Sequence, residues 1–144
     1  PEMFEKTYSM AEKRGVDIQH ILYDADEVTA LLQKFDKGEI PEQNRRAIFV
    51  LGRYAQKQRS SIADLTAFLD SMGDNQLRWS VCAFGQAEHD CLLAALELGG
   101  HARIGFENNC LAPDGQVFDS NGASVAAFVD RAAKAGFSPV RGAL

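Results

Sequence analysis

The sequence lacks several features that would place it in familiar classes of protein. No apolar run approaches the roughly 18 residues that a membrane-spanning helix requires. Its 15 basic residues are outnumbered by 20 acidic ones, which gives a formal net charge of -5. The basic residues are also dispersed, so a surface that grips nucleic acid phosphates is not expected. These absences predict a chain whose partners include neither a membrane nor a nucleic acid.

Targeting and redox signals are equally scarce. The first six residues lack the basic-then-apolar order of a secretory signal peptide, which predicts a cytoplasmic location. The three cysteines, Cys82, Cys91 and Cys110, form no CxxC pair. An odd number of cysteines without a signal peptide fits reduced thiols better than a disulfide framework. We expect Cys82 and Cys91 to be small, buried apolar side chains.

Only 4 prolines and 12 glycines occur among the 144 residues, of which 46% are apolar. This is the composition of one ordinary globular domain. The length excludes a complete eight-stranded α/β barrel, which needs about 250 residues. The chain also begins without an initiator methionine, inside a predicted helix over 2–14 that Gly15 ends. This start suggests a piece of a longer sequence.

Hydrophobic periodicity predicts strands that alternate with helices after this leading helix. The predicted strands span residues 17–23, 47–51, 79–84 and 101–106. The helix after the first strand is predicted to open at Asp24, and the helix after the second is predicted over 62–72, with Ser60 or Ser61 as its N-cap. Each strand is followed by apolar residues at helix spacing, and this alternation is typical of βαβ crossovers and a parallel sheet. The fold class is therefore α/β. Because no segment is long or polar enough to be a linker, residues 1–144 are expected to form a single domain of a leading helix plus four βα units.

Parallel α/β folds bind ligands at the carboxyl ends of their strands, in the loops that lead to the helices. Polar residues and glycines in those loops are therefore the candidates for a binding site. They are Tyr23, Asp24, Gly52, Arg53, Tyr54, Gly85, Gln86, Glu107, Asn108 and Asn109. Neither a GxGxxG fingerprint nor a P-loop occurs among them, which argues against a nucleotide-binding fold.

Two of these loops allow more than one interpretation. Arg53, Lys57 and Arg59 cluster after the second predicted strand, where they could meet a coenzyme phosphate, although such clusters are more often solvated surface. Gly85 and Gln86 could let a ligand approach the backbone, and Gly85 could equally be required only for a turn.

The segment with the most chemical content is 99–109, Gly-Gly-His-Ala-Arg-Ile-Gly-Phe-Glu-Asn-Asn. Because alternate residues of a strand share a face, Arg103 and Glu107 are expected on the same inner side, near the end of the fourth strand. Burying an arginine and a carboxylate is costly unless they pair with each other, a metal or a substrate. A salt bridge that closes the end of the sheet explains this spacing at least as well as catalysis does.

This segment resembles the glycine-glycine-histidine-valine-arginine-valine-glycine-leucine-glutamate-aspartate-asparagine signature of the β-keto acid cleavage enzymes. Residues 79–86, the strand end at 49–52 and Asn121 are also similar to that family. The resemblance implies the carboxyl-terminal half of a TIM (β/α)8 barrel. It further implies a zinc-dependent, Claisen-type cleavage that passes the acyl part of a β-keto acid to coenzyme A, consuming acetyl-CoA and releasing acetoacetate.

The resemblance also implies roles for individual residues. Glu107 would be a zinc ligand in a site whose other protein ligands are two histidines. Arg103 would hold the substrate carboxylate or stabilise the enolate, and zinc would polarise the keto oxygen. From their positions after strands, Gly52, Gly85 and Gln86 are predicted to bind the substrate.

Two departures separate this chain from the family pattern. Asn108 stands where the family has an aspartate, and an amide cannot take or relay a proton at neutral pH. Asn108 is therefore predicted to occupy a catalytic position. The replacement of the family's aspartate by asparagine there could make this chain an inactive homologue. The His-x-His zinc motif is absent from the sequence, and His20, His89 and His101 are expected to be core or surface histidines. Cys110 is a weak candidate ligand.

A half barrel would leave two unpaired sheet edges and an apolar inner face. We therefore expect it to be completed by further residues of a longer chain, by a separate polypeptide or by a second copy in a homo-oligomer. The alternative from another class of protein is a small α/β binding or interaction module, in which Arg103 and Glu107 only pair and nothing is catalysed.

Overall fold

The computed structural model describes residues 2–53 and 59–140. Its elements, in chain order, are α1 (Glu2–Lys13), β1 (His20–Leu22), α2 (Ala25–Asp36), a short 3-10 helix (Glu42–Asn44), β2 (Arg46–Leu51), α3 (Ile62–Met72), β3 (Arg78–Ala83), α4 (Glu88–Glu97), β4 (His101–Ala102) and α5 (Asn121–Lys134). Strands alternate with helices throughout, which confirms the predicted α/β class.

The four strands form one parallel sheet in the order β1-β2-β3-β4. A helix follows each strand, and the order of the strands along the sheet is their order in the chain. This is the arrangement of consecutive (β/α) units in a barrel, where each new strand is added beside the previous one. Within the described ranges, none of the helices has both the length and the hydropathy needed to traverse a bilayer.

The main core lies between the sheet and the helices. Ala47, Phe49 and Leu51 alternate along β2 and point to this side, where all three are fully buried. The ring of Phe49 stacks on Phe68 of α3 and on Trp79 of β3, with centroid distances of 4.8 and 5.6 Å. Full burial of one such side chain contributes about 1.5–3 kcal/mol. This aromatic stack therefore holds α3 on the centre of the sheet.

The opposite, inner face of the sheet carries a second and smaller apolar cluster. It consists of Ile48, Val50, Cys82 and Phe84. All four side chains are buried. The prediction that a half barrel exposes an apolar inner face is therefore wrong at these positions. The reason is that groups following the strands fold over the cluster. Tyr23 packs against it, and the guanidinium of Arg53 lies 5.6 Å from the ring centroid of Phe84.

The strands are shorter than the apolar pattern predicts, whereas the helices match it closely. β1 has 3 residues rather than the predicted 17–23, because Ile18 donates its N–H to the Asn44 side chain at 3.2 Å instead of to a neighbouring strand. By contrast, α3 begins and ends as predicted over 62–72, and Ser61 caps it in a capping box. Local capping chemistry therefore sets the helix ends.

Candidate active site

The chain turns sharply at the carboxyl end of β4 instead of continuing as a strand. β4 has 2 residues rather than the predicted 101–106. The N–H of Arg103 still pairs with β3 at 2.8 Å, but the carbonyl of Gly105 then accepts the N–H of Asn108 at 3.0 Å. Glu107 lies in this turn, so the predicted strand does not extend far enough for alternation along it to set the side on which Glu107 lies.

The turn nevertheless brings together the side chains of Arg103, Glu107 and Asn108, which we call the Arg103 cluster. The Nη2 atom of Arg103 donates to Oε2 of Glu107 at 2.8 Å and to Oδ1 of Asn108 at 3.2 Å. Asn108 is buried, but the Arg103 and Glu107 side chains are 45% and 74% exposed, which corrects the expectation that this pair is buried. An exposed ion pair contributes only about 0–1 kcal/mol. The cluster is therefore open to a ligand and of little value to stability.

A fully buried carboxylate lies behind the turn. Glu88 is the first residue of α4, and its side chain is inaccessible to solvent. Its Oε1 accepts the N–H of Gly105 at 3.4 Å, and its Oε2 accepts the side-chain amide of Asn109 at 3.2 Å. Burial raises the pKa of the Glu88 carboxyl, while the hydrogen bonds from Asn109 and Gly105 act in the opposite direction.

Glu88 was not anticipated from the sequence, although a signal for it was present. An acidic residue in the first turn of a helix is normally taken as a solvated partner of the helix dipole. Yet one face of α4 has the spacing i, i+3, i+4 and i+7 that marks a buried stripe. That face consists of Glu88, Cys91, Leu92 and Ala95, all of them fully buried. A carboxylate on such a stripe must find hydrogen-bond donors in the interior.

Asn121 also acts on the turn. As the first residue of α5, it accepts the N–H of Phe106 on its Oδ1 at 2.9 Å. A Cβ placed on Gly105 would lie 3.5 Å from the same oxygen. The turn is thus contacted by both α4 and α5, and this role of Asn121 is evident only in the folded chain.

Gly85 and Gln86 lie beside the turn but make different contacts. The N–H of Gly85 donates to the carbonyl of Asn108 at 3.3 Å, which ties the loop after β3 to the Arg103 cluster. The side-chain amide of Gln86 donates to the carbonyl of Pro113 at 2.8 Å. Both predicted binding residues therefore also serve the packing of loops at this edge of the sheet.

Gly52 follows β2 with a φ of +79°, and a Cβ there would lie 2.7 Å from the backbone of Arg59. Glycine is therefore required by this close approach.

The described basic residues of the loop after β2 make different contacts. Arg59 lines a cleft of about 320 Å³, and Arg53 covers the inner apolar cluster. The remaining candidates of this loop, Tyr54 and Lys57, lie outside the described residues.

Two of the histidines make contacts within the fold, and of these His20 is half-buried. His20 hydrogen-bonds with the hydroxyl of Tyr8 and with a backbone carbonyl, each at 2.8 Å. His89 is buried against the rings of Phe118 and Phe128, each at a centroid distance of 5.5 Å. Burial lowers the pKa of both imidazoles. Packing and hydrogen bonding therefore account for both side chains.

The described part of the chain does not hold a complete zinc site. Structural and catalytic zinc ions take three or four protein ligands, and no group of three or more His, Cys, Asp or Glu side chains that could hold a metal occurs among the described residues. Glu107 offers one exposed carboxylate. His101 starts β4, at the end opposite the Arg103 cluster, and Cys110 is exposed. A zinc site that includes Glu107 would therefore need ligands from outside the described residues.

The fold and the site define a parallel (β/α) protein whose polar cluster lies at the carboxyl end of a strand, where barrel enzymes carry their active sites. A family model described as beta-keto acid cleavage enzyme matches residues 1–143. The chain belongs to the beta-keto acid cleavage enzyme family, and its four-stranded sheet is part of the TIM barrel of that family. A search of curated proteins found no match.

Proposed function

We propose that the chain forms the carboxyl-terminal half of a zinc-dependent β-keto acid cleavage enzyme, with the Arg103 cluster in its active site. The substrates would be a β-keto acid and acetyl-CoA, and the products an acyl-CoA and acetoacetate. One observation carries the proposal: a single guanidinium nitrogen of Arg103 contacts both Glu107 and Asn108 at the carboxyl end of β4. Membership of the family supports the same reaction class.

The proposed reaction exchanges two acyl groups. The bond between the keto carbon and the α carbon of the β-keto acid breaks, and the keto carbon forms a thioester with coenzyme A. The α carbon keeps the carboxylate and takes the acetyl group from acetyl-CoA, which yields acetoacetate. Negative charge develops on the enolate oxygen during cleavage, so a fixed cation beside it lowers the barrier.

Arg103 has the geometry to supply that cation. Its contacts to Glu107 and Asn108 both use Nη2, so that, within the described residues, Nη1 and Nε can each donate one hydrogen bond to a substrate carboxylate or enolate. Each face of a guanidinium that makes two parallel hydrogen bonds includes Nη2, so a two-bond contact with a carboxylate would displace Glu107 or Asn108. Asn108 contributes its amide oxygen to hold the guanidinium in place, and its amide cannot act as the base.

Glu107 suits the chemistry of a zinc ligand, because it is a carboxylate that projects into solvent beside Arg103. When bound, zinc would act as a Lewis acid on the keto oxygen. The described residues do not bring together the three protein ligands that such a site needs. We propose that the other ligands come from the amino-terminal half of the barrel, carried by a longer chain, by a separate polypeptide or by a second copy of this chain.

We also propose that Gly52, Gly85 and Gln86 border the substrate, since they follow β2 and β3 on the same edge of the sheet as the Arg103 cluster. Arg59 and Gln86 line the cleft of about 320 Å³ at this edge. A coenzyme A phosphate placed there would meet the guanidinium of Arg59, which matches its charge.

Metal analysis of the purified assembly tests this proposal. We expect zinc in the unmodified protein and in Glu97→Gln, a control at the exposed end of α4, and a loss of zinc in Glu107→Gln. A metal-free assembly, in which Glu107→Gln leaves cleavage and stability unchanged, would contradict the proposal.

One observation favours the alternative function, a non-catalytic α/β interaction module. Arg103 and Glu107 already satisfy each other within the chain at 2.8 Å, so neither requires a ligand. In that case Glu107→Gln changes neither the metal content nor any cleavage activity. The same zinc measurement therefore separates the two functions.

A further inference from the structure

The turn that carries the Arg103 cluster is fixed from behind by one buried side chain. Glu88 accepts the Gly105 N–H on Oε1 and the Asn109 side-chain amide on Oε2. We propose that Glu88 is a positioning residue, whose carboxylate sets the conformation of the 105–109 turn and thereby the geometry of the Arg103 cluster. Its consequence for catalysis rests on the proposed function, whereas its consequence for the turn does not.

The contacts of Glu88 lie on both sides of the segment that bears the cluster. Gly105 precedes Glu107 and Asn109 follows Asn108, so one carboxylate contacts the two ends of the short segment between them. The backbone of α4 adds to this link, because the N–H of Glu88 donates to the carbonyl of Gly85 at 3.0 Å. Gly85 in turn donates to the carbonyl of Asn108. A shift of Glu88 would therefore move the turn as a unit.

The chemistry of the site requires a carboxyl group and not merely a polar side chain of that size. Both groups that contact Glu88 are donors, and the two oxygens of a carboxyl group can both accept, whether or not it is ionised. A glutamine of the same shape has a single acceptor oxygen, so it can accept a hydrogen bond from one of the two donors. Its NH2 group then faces the other donor. One buried donor is then left without a partner, and such a donor costs more than the lost bond itself.

The position of Glu88 excludes direct contact with a substrate in this arrangement. Its side chain is inaccessible to solvent, whereas Arg103 and Glu107 are open. Asn109 is itself held by the neighbouring backbone, since its Oδ1 accepts the N–H of Leu111 at 3.0 Å. Glu88 therefore acts through the turn and not on the reacting atoms.

Hydrogen exchange of the full chain, followed by NMR, tests the proposal through Glu88→Gln. The matched control is Glu97→Gln, which makes the same chemical change at the exposed end of α4. We expect exchange of the Gly105 N–H and of the Asn109 side-chain amide to become about tenfold faster in Glu88→Gln. Amide chemical shifts report conformation independently of global stability, so we also expect the shifts of residues 105–109 to change while that of Phe49 in β2 does not. Unchanged exchange and unchanged chemical shift at Gly105 would overturn the proposal, and so would equal changes of chemical shift at Gly105 and Phe49.

A double variant keeps the test decisive if Glu88→Gln does not fold. In Glu88→Gln/Asn109→Asp the introduced amide can donate to the introduced carboxylate while its oxygen still accepts from Gly105, although the bond from Asn109 to the carbonyl of Leu111 at 2.6 Å is lost. Asn109→Asp alone suffers the same loss at Leu111, so we expect the double variant to be more stable than this single variant and better protected at Gly105. Equal stability and protection in the two variants would show that burial of Glu88, and not its pairing, is what matters.

Activity separates the two proposals from each other. In an assembly that cleaves β-keto acids, Glu88→Gln lowers kcat/KM by about tenfold or more and the double variant recovers part of it. If the unmodified assembly shows no cleavage, the proposed function fails while the exchange at Gly105 still decides the role of Glu88. Unchanged kcat/KM in Glu88→Gln, in an active assembly, would contradict the positioning role.

Discussion

The Nη2 atom of Arg103 lies 2.8 Å from Oε2 of Glu107, across a turn and not along a strand. Both side chains are substantially exposed, so the pair adds little to the free energy of folding. A charged pair that costs little to open can accept a ligand in place of one partner. The exposed pair can therefore open toward a ligand at little cost in stability, as the proposed function requires.

The first prediction concerns the shape of the Arg103 side chain. In Arg103→Lys, one ammonium cannot reproduce the planar fork, so we expect kcat/KM for cleavage to fall by about 100-fold. The unfolding free energy should change by less than about 1 kcal/mol. Arg46→Lys is the control, because Arg46 is paired with Asp17 at 2.9 Å and is the first residue of β2, at the opposite end of the sheet. Equal losses of activity in the two variants would contradict the assignment.

The second prediction concerns Asn108. Asn108→Asp places a carboxylate where the amide now contacts Arg103, and a carboxylate can take a proton from a substrate carbon. We expect cleavage, measured with several β-keto acids, to rise by about tenfold or more. Asn75→Asp adds the same charge at an exposed site and should have no effect. If both variants behave alike, the amide at 108 is not what limits activity.

The third prediction separates two requirements for glycine after β2. Gly52→Ala and Gly38→Ala both place a side chain at positive φ, but only at Gly52 would the new Cβ clash, 2.7 Å from the Arg59 backbone. The positive φ alone costs about 1–3 kcal/mol. We therefore expect a greater loss of stability in Gly52→Ala, as measured by urea unfolding. Equal losses would mean that the close approach is readily relieved.

The fourth prediction is a pH dependence. Burial raises the pKa of the Glu88 carboxyl above its ordinary value of 4.5, although the neutral donors Asn109 and Gly105 oppose this shift. The folded protein thus binds this proton more tightly than the unfolded chain. Stability linked to Glu88 is full below the ordinary pKa and declines as the pH rises through the folded pKa.

Glu88→Gln removes this dependence because glutamine does not titrate. The stability of Glu88→Gln relative to the unmodified protein should therefore increase between about pH 4 and about pH 7, as urea unfolding at each pH would show. A relative stability that stays constant or decreases over this range would contradict the raised pKa.

The parts of the fold that depend on local patterns follow from the sequence. The apolar spacing and cap residues of α2 and α3 predict these helices, with Asp24 and Ser61 as their N-caps. The buried run of β2 likewise identifies a central parallel strand. The alternation of such segments is enough to predict the α/β class, and it places the candidate residues at the edge of the sheet where the Arg103 cluster lies.

The remaining features depend on contacts between residues far apart in the chain. β4 ends early because the carbonyl of Gly105 turns to meet Asn108, and the buried carboxylate of Glu88 reaches this turn from α4. The sequence motif identified Arg103 and Glu107 correctly as neighbours, but for the wrong geometric reason. The role of Glu88 could not be predicted from the sequence of α4, because its hydrogen-bond donors, at Gly105 and Asn109, lie outside that helix.

The most direct test of the central claim is acetoacetate formation from a β-keto acid and acetyl-CoA by the assembled protein, compared between Glu107→Gln and Glu97→Gln. The proposed active site predicts that the unmodified protein and Glu97→Gln form acetoacetate at the same rate, whereas Glu107→Gln is slower by about 100-fold or more. Equal rates in the two variants would contradict the claim that the Arg103 cluster performs the cleavage.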